Sequence, residues 1–291
     1  MAILSQYDMT WQINANCISW VSAGIPGRPT PPHASKPPAP THPRFYPPGS
    51  TIPTPPAMTP TDPMPDHYAD HYALIGDVVG SRELDDRAEV QRRLEDLMEA
   101  LNHRFWDGGD PGVGLAAPMK LTAGDEIQAL LRVPEPAVEI VVAIADALYP
   151  VEVVWGLGMG ALTTDLMEDV ALVDGPCFHH ARAAVEDAAN RGTWLQARGF
   201  PAPFSDALSA LFRLMGAVRA RWKPAQMRYV RSARDRPQTE VAQMHGVDES
   251  TVSKALQAAR FRDVETGEEA ARRLLAWIAD AASVDSDGET A

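Results

Sequence analysis

Proline is spread so unevenly along this chain that it decides where folding can begin. Sixteen of the 26 prolines fall in the first 66 of 291 residues, in strings such as Pro29-Thr30-Pro31-Pro32 and Pro53-Thr54-Pro55-Pro56. Proline has no amide hydrogen and breaks helix interiors. The apolar content of this stretch is too low to offset the entropy of ordering it. Residues 1–69 are therefore expected to form a disordered tail without a function of its own, and Met58 or Met64 would begin the ordered part neatly. Folding is confined to residues 70–285, with 286–291 a second short tail. A body of that length accommodates two domains, and the 45% hydrophobic content and seven Trp of the chain supply their cores.

Composition excludes several classes. Cys17 and Cys177 are too few and too far apart for a disulfide framework, which points to a reducing compartment. No apolar run reaches the roughly 18 residues of a membrane span, and no basic start precedes a compact apolar stretch, so a cytoplasmic location is expected. The net charge of −13 argues against general affinity for polyanions. Between Arg219 and Arg262, however, ten Lys and Arg face four Asp and Glu. Any nucleic-acid contact belongs to that segment.

Residues 70–202 alternate strand-like and helix-like patterns. Tyr72–Val79 reads as a buried strand, and Val90, Leu94, Leu97, Met98, Leu101 and Phe105 share one helical face. Two strand-like runs between Leu115 and Val133 flank Gly124-Asp125, a hairpin signal. A helix over Glu135–Leu148, a strand over Val151–Leu157 and a helix starting near Pro176 follow. This order is βαββαβ, an α+β arrangement of the ferredoxin-like kind, which sets the first strand beside the hairpin. Two apolar runs, Leu74-Ile75-Gly76-Asp77 and Leu121-Thr122-Ala123-Gly124-Asp125, each end in Gly-Asp. The topology lets Asp77 and Asp125 meet as an oxygen-only pocket for Mg²⁺ or Mn²⁺. Taken singly, each Gly-Asp is also an ordinary turn with a capping carboxylate. Glu126 is a further candidate ligand or an exposed strand residue. Ser81 and Arg82 would contact phosphate through a helix N-terminus, or serve as a cap and a solvated charge. Adjacent His179 and His180 face different directions and lack a third ligand, which disfavours zinc, and Cys177 reads as a packed thiol.

Residues 203–285 read as helical throughout: Phe204–Trp222, Pro224–Arg234, Thr239–His245, Glu249–Arg260 and Glu268–Ala281. The run from Gln238 to Leu256 has helix-turn-helix spacing. Ala242 lets two helices approach, Gly246 permits the turn, and Val252 fills the angle between them. Asp248 is placed to cap the second helix through the amide of Ser250 or Thr251. Ser250, Thr251, Ser253, Lys254 and Gln257 then face outward, suited to base edges and phosphates. Arg228, Arg231, Arg234 and Arg236 are expected to hold the phosphate backbone.

Four strings carry a family resemblance. Tyr72-Ala73-Leu74-Ile75-Gly76-Asp77-Val78-Val79-Gly80-Ser81 resembles the first metal-binding strand of class III nucleotidyl cyclases, and Lys120-Leu121-Thr122-Ala123-Gly124-Asp125 their second metal-binding hairpin. Val153 to Gly160 is similar to their Gly-punctuated strand, and Gly175 to Arg182 to the start of their catalytic helix. With the helix-turn-helix, residues 70–285 as a whole are most similar to the SatD family. The resemblance implies that Asp77 and Asp125 hold two divalent ions with help from the Val78 carbonyl. It implies nucleotide contacts from Ser81, Arg82, Lys120 and Gly124, transition-state roles for His179 and Arg182, and a homodimer. His179 stands where cyclases carry Asn. Arg182 lies one position early, about 100° around a helix, and Lys120 is one residue early. These departures favour a DNA-binding regulatory protein whose cyclase-like domain binds nucleotide and metal. An active nucleotidyl cyclase, or a related enzyme acting on a nucleoside triphosphate, is the alternative; a scaffold that binds neither is a third reading.

Overall fold

The computed structural model describes residues 9–14, 17–22, 71–84, 86–106, 114–122 and 126–287, with side chains described from 71 to 279 within those ranges. It is a mixed α+β protein. Near the N-terminus, β1 (Met9–Asn14) and β2 (Cys17–Ser22) pair antiparallel as a hairpin. This hairpin precedes the first proline, Pro26, so the argument from proline does not apply to it. The rest of the tail and the last residues, 288–291, lie outside the described residues.

The body is organised around β3 (His71–Val78). Tyr72, Leu74 and Val78 face one core while Ala73 and Ile75 face the other. A strand apolar on both faces belongs inside its sheet. Four others complete the sheet: β4 (Leu115–Thr122), β5 (Glu126–Leu131), β6 (Val153–Gly160) and β7 (Leu195–Arg198). Their order is β4-β5-β3-β6-β7, antiparallel except for the parallel β6–β7 pair. The strand β7 was not legible beforehand, because Leu-Gln-Ala-Arg is too short to show an alternation.

Helix α1 (Arg87–Phe105) links β3 to β4, and α2 (Pro136–Leu148) links β5 to β6. All six apolar residues expected on one face of α1 are buried. Helix α3 (Pro176–Arg191) covers the opposite face of the sheet, directly on β6. It can approach closely because Gly156, Gly158 and Gly160 alternate along β6. A Cβ on Gly156 or Gly158 would stand 2.1 Å from the carbonyl of Ala181 or Cys177.

The C-terminal part is helical: α4 (Ala202–Arg219), α5 (Pro224–Ala233), α6 (Gln238–His245), α7 (Glu249–Ala258) and α8 (Phe261–Asp287). The core runs without a break across the boundary expected at 202/203, since Trp155, Phe212, Met227, Val252 and Leu275 belong to one apolar cluster. Ion pairs cross the same boundary. Asp146 of α2, 4% exposed, accepts from Arg219 at 2.7 Å and Arg234 at 2.8 Å. Arg234 also donates to Glu268 of α8 at 2.6 and 3.0 Å. Burial works against the charge of Arg234, but Asp146 and Glu268 outweigh it and raise its pKa. Among the described residues no helix is long and apolar enough to cross a membrane.

Candidate functional site

Antiparallel register sets Asp77 directly opposite Glu126 of β5 and Val154 of β6. Directly opposed residues project to the same face, and for Asp77 this is the face of Ala73 and Ile75, under α3. Two carboxylates opposed in this way repel. The sequence answers with Arg182 of α3, which donates through Nη2 to Glu126 Oε1 at 2.9 Å and through Nη1 to Oε2. Gln128 Nε2 adds a bond to Glu126 Oε1 at 2.7 Å. The outcome is an exposed Asp77 at the end of β3 beside a Glu126–Arg182 pair. Glu126, one candidate among several in the sequence, is the carboxylate the fold brings opposite Asp77. Gly124 and Asp125 lie outside the described residues, so the Asp77–Asp125 pairing is not seen. Val78 buries its side chain, which leaves its main chain as its means of contact.

Several expected contacts fall elsewhere. His179 Nε2 lies 3.3 Å from Asp174 Oδ1 near the start of α3. That end of the helix lies against Gly160 and Gly158, level with His71 and Ala73. Those positions are four to six residues from Asp77, roughly 13–20 Å at the strand rise. The structure therefore separates His179 from Asp77. His180 Nδ1 lies 2.7 Å from the Met159 carbonyl, and Cys177 is a buried thiol whose pKa burial pushes up to about 11. Lys120 pairs with Asp169 at 2.6 Å. The hydrogen bond from Lys120, helped by the Ala171 amide, holds the Asp169 carboxyl below its ordinary range.

Ser81 and Arg82 do not stand at an α-helix N-terminus. Ser81–Glu83 is a single 3-10 turn after Gly80, Ser81 is buried, and α1 begins only at Arg87. The α1 N-terminus already receives Asp86, whose Oδ1 accepts from the Glu89 amide at 3.2 Å. Among the described residues, the first α-helix after Asp77 begins at Arg87, six residues beyond Ser81.

In the C-terminal part, α6 and α7 meet through Gly246, which takes the left-handed φ of 61° that glycine tolerates. Val252, Leu256 and Ala242 are buried, while Ser250, Thr251, Ser253, Lys254 and Gln257 are all exposed on α7. Asp248 stands at the N-cap of α7 but makes no side-chain cap bond; its carbonyl accepts from the Thr251 amide at 2.9 Å instead. The arginines before the pair correct the electrostatic expectation. Arg231 is 3% exposed and donates to the Tyr149 carbonyl at 3.4 Å. Arg234 is engaged by Asp146 and Glu268, and Arg236 pairs with Asp235 at 3.3 Å. Of the four, only Arg228 is exposed. Arg219, Arg231, Arg234 and Arg236 thus pair or pack within the fold, while Arg221, Lys223, Arg228, Lys254, Arg260 and Arg262 stay exposed.

Fold and site define a mixed α+β protein with a carboxylate at the end of the sheet's central strand and an exposed polar helix near its C-terminus. Residues 71–274 match the SatD family model, and the chain belongs to the SatD family. No curated protein and no solved structure matches it.

Proposed function

We propose that this chain is a DNA-binding regulatory protein whose ferredoxin-like, cyclase-like domain binds a nucleotide with a divalent cation. The observation that carries the reading is the α7 surface. Five short or flexible polar side chains, Ser250, Thr251, Ser253, Lys254 and Gln257, are exposed on a helix whose Val252 and Leu256 anchor it to the core. This is the disposition of a recognition helix in a helix-turn-helix. With Arg231, Arg234 and Arg236 engaged elsewhere, affinity rests on α7 itself and a few exposed cations such as Arg228 and Lys254.

For the cation, the oxygen donors of Asp77 and the Val78 main chain suit Mg²⁺ or Mn²⁺. Asp125 would complete the set; among the described residues no cluster of three or more His, Cys, Asp or Glu forms a metal cage. A bound divalent ion would supply charge to clamp nucleotide phosphates. Arg182 is already bonded to Glu126, which favours binding over the cyclase alternative, since a developing phosphate charge would have to compete for that guanidinium. Two copies joined through the α+β domain would present two α7 helices to a two-fold site.

Calorimetry of the full chain with non-hydrolysable ATP and GTP analogues in Mn²⁺ is expected to show saturable binding, weakened at least about tenfold by Asp77→Ala. Equal heats from both proteins would remove Asp77 from the site. Selection of duplexes from genomic fragments is expected to enrich a palindrome, and Lys254→Glu should lower affinity for it by about tenfold. Failure to enrich any sequence would defeat the DNA assignment.

A further inference from the structure

Helix α4 turns Leu208, Phe212 and Met215 to the core, all three buried. At about 100° per residue, its opposite face carries Asp206, Ala207, Ala210, Arg213, Leu214 and Ala217, and every one of them is exposed. Leu214, at 68%, is the most exposed large apolar side chain among the described residues. Trp277 of α8, 56% exposed, lies toward the other end of this surface with its ring 4.9 Å from that of Phe204. We propose that this face of α4 pairs with the same face of a second copy of the chain, the two helices antiparallel about Ala210. The inference does not rest on the DNA and nucleotide reading, and the contact is distinct from a pairing through the α+β domain.

The spacing of charges selects a second copy as the occupant. A two-fold contact needs a surface that complements itself. Antiparallel packing about Ala210 brings each residue level with the one equally far beyond Ala210 on the other copy. Asp206 then falls within one residue of Arg213 of the second copy, and Arg213 within one residue of its Asp206. Both lie on the flank of α4 turned away from α8. Both are exposed, and neither side chain pairs within the described residues. Opposite charges therefore meet twice across the two-fold.

The other flank is apolar. Helix α8 packs along it against Phe204 and Leu211, and Leu214 stands one turn beyond Leu211 on the same side. In the antiparallel pair Leu214 comes level with Asp206 of the second copy, two residues from Phe204 and the Trp277 ring stacked on it. Each copy's Leu214 thus covers the other's Trp277, and both lose contact with water. Between these flanks Ala210 and Ala217 add little bulk, so the helix axes can approach to about 8 Å.

Sedimentation velocity on the full chain, without nucleotide or DNA, tests the pairing. Over about 1–100 µM a reversible monomer–dimer equilibrium is expected, with a Kd on the order of 10 µM. Asp206→Arg and Arg213→Asp each set like charges opposite one another twice and should raise Kd at least about tenfold. Combining the two restores attraction, so Kd should return to within about threefold of wild type. Leu214→Glu, which sets a carboxylate against an indole, should raise it at least about tenfold as well. These side chains are exposed, so circular dichroism should stay unchanged. Should Asp206→Arg disturb α4, Arg213→Asp and Leu214→Glu decide. A monomer at about 100 µM overturns the proposal. So does a dimer indifferent to these substitutions, which would place the two-fold elsewhere, or a double exchange as weak as the single ones.

Discussion

Asp146→Ala is expected to lower the melting temperature by on the order of 10 °C. Removing one partner of a buried ion pair costs about 3–5 kcal/mol, because the remaining charge stays buried without its counter-ion. Here a single deletion touches two cations, since Arg219 and Arg234 both donate to Asp146 at under 3 Å; Arg219 loses its carboxylate, while Arg234 keeps Glu268. For a body of this size each kcal/mol moves the transition by about 2–4 °C. Asp146→Asn keeps the shape and part of the hydrogen bonding, so it should lose less. A shift under about 2 °C for the alanine variant would show that water reaches these groups.

The same pair predicts a dependence on pH. Burial alone would push the Asp146 carboxyl upward, but Arg234 and Arg219 outweigh it and hold the group below its ordinary value. A carboxylate depressed in the folded state contributes stability that is complete above its unfolded pKa, about 3.9, and disappears as pH falls through the folded value. The melting gap between wild type and Asp146→Ala should therefore be constant near neutrality and close progressively below about pH 4.

Gly158→Ala has the second large effect, through backbone rather than charge. A Cβ at this position would meet the Cys177 carbonyl at 2.1 Å, the Ala181 amide at 2.3 Å and the Ala181 Cα at 2.9 Å. None of these is the free end of a side chain that could swing away. The whole of α3 would have to lift from β6, opening the cluster that contains Cys177, Phe178 and Ala181. Overpacking generally costs about 1–3 kcal/mol, and a backbone clash belongs at or above the upper end. The variant is expected to melt at least about 6 °C lower or to accumulate insoluble, and to lose the Glu126–Arg182 bond that α3 carries. An unchanged melting curve would contradict the close approach of helix and sheet.

Much of the sheet was legible because its signals are local. The even spacing of Gly156, Gly158 and Gly160 marks a strand under a close helix. The run from Val90 to Phe105 shows its buried face by period alone. Pro176 announced the start of α3, and Gly246 the turn between α6 and α7. What escaped was pairing over distance. Arg234 and Glu268 are 34 residues apart, and Arg182 and Glu126 are 56 apart. A count of charges along the chain gives no hint that Arg231, Arg234 and Arg236 turn inward while Lys254 stays out. Ser81 and Arg82 fall in a 3-10 turn because the α-helix after Asp77 starts six residues beyond Ser81, at Arg87 under its own Asp86 cap. The candidate site was legible at Asp77 and at the α7 surface, where residue type and local element suffice.

The ion pairs between α2 and the C-terminal helices bear on how such a protein can be inherited. Asp146 lies on one side of residue 202 and its two arginines on the other, and the Tyr149 hydroxyl donates to the Trp222 carbonyl across the same line at 3.0 Å. A gene fragment ending there would encode a sheet with a buried anion and no cation to meet it. The helical half alone would carry Arg219 without its acid and Arg234 with Glu268 as its remaining partner. Neither half is a portable module, so recombination that trades one for an unrelated domain would be selected against unless both sides of the contact travelled together.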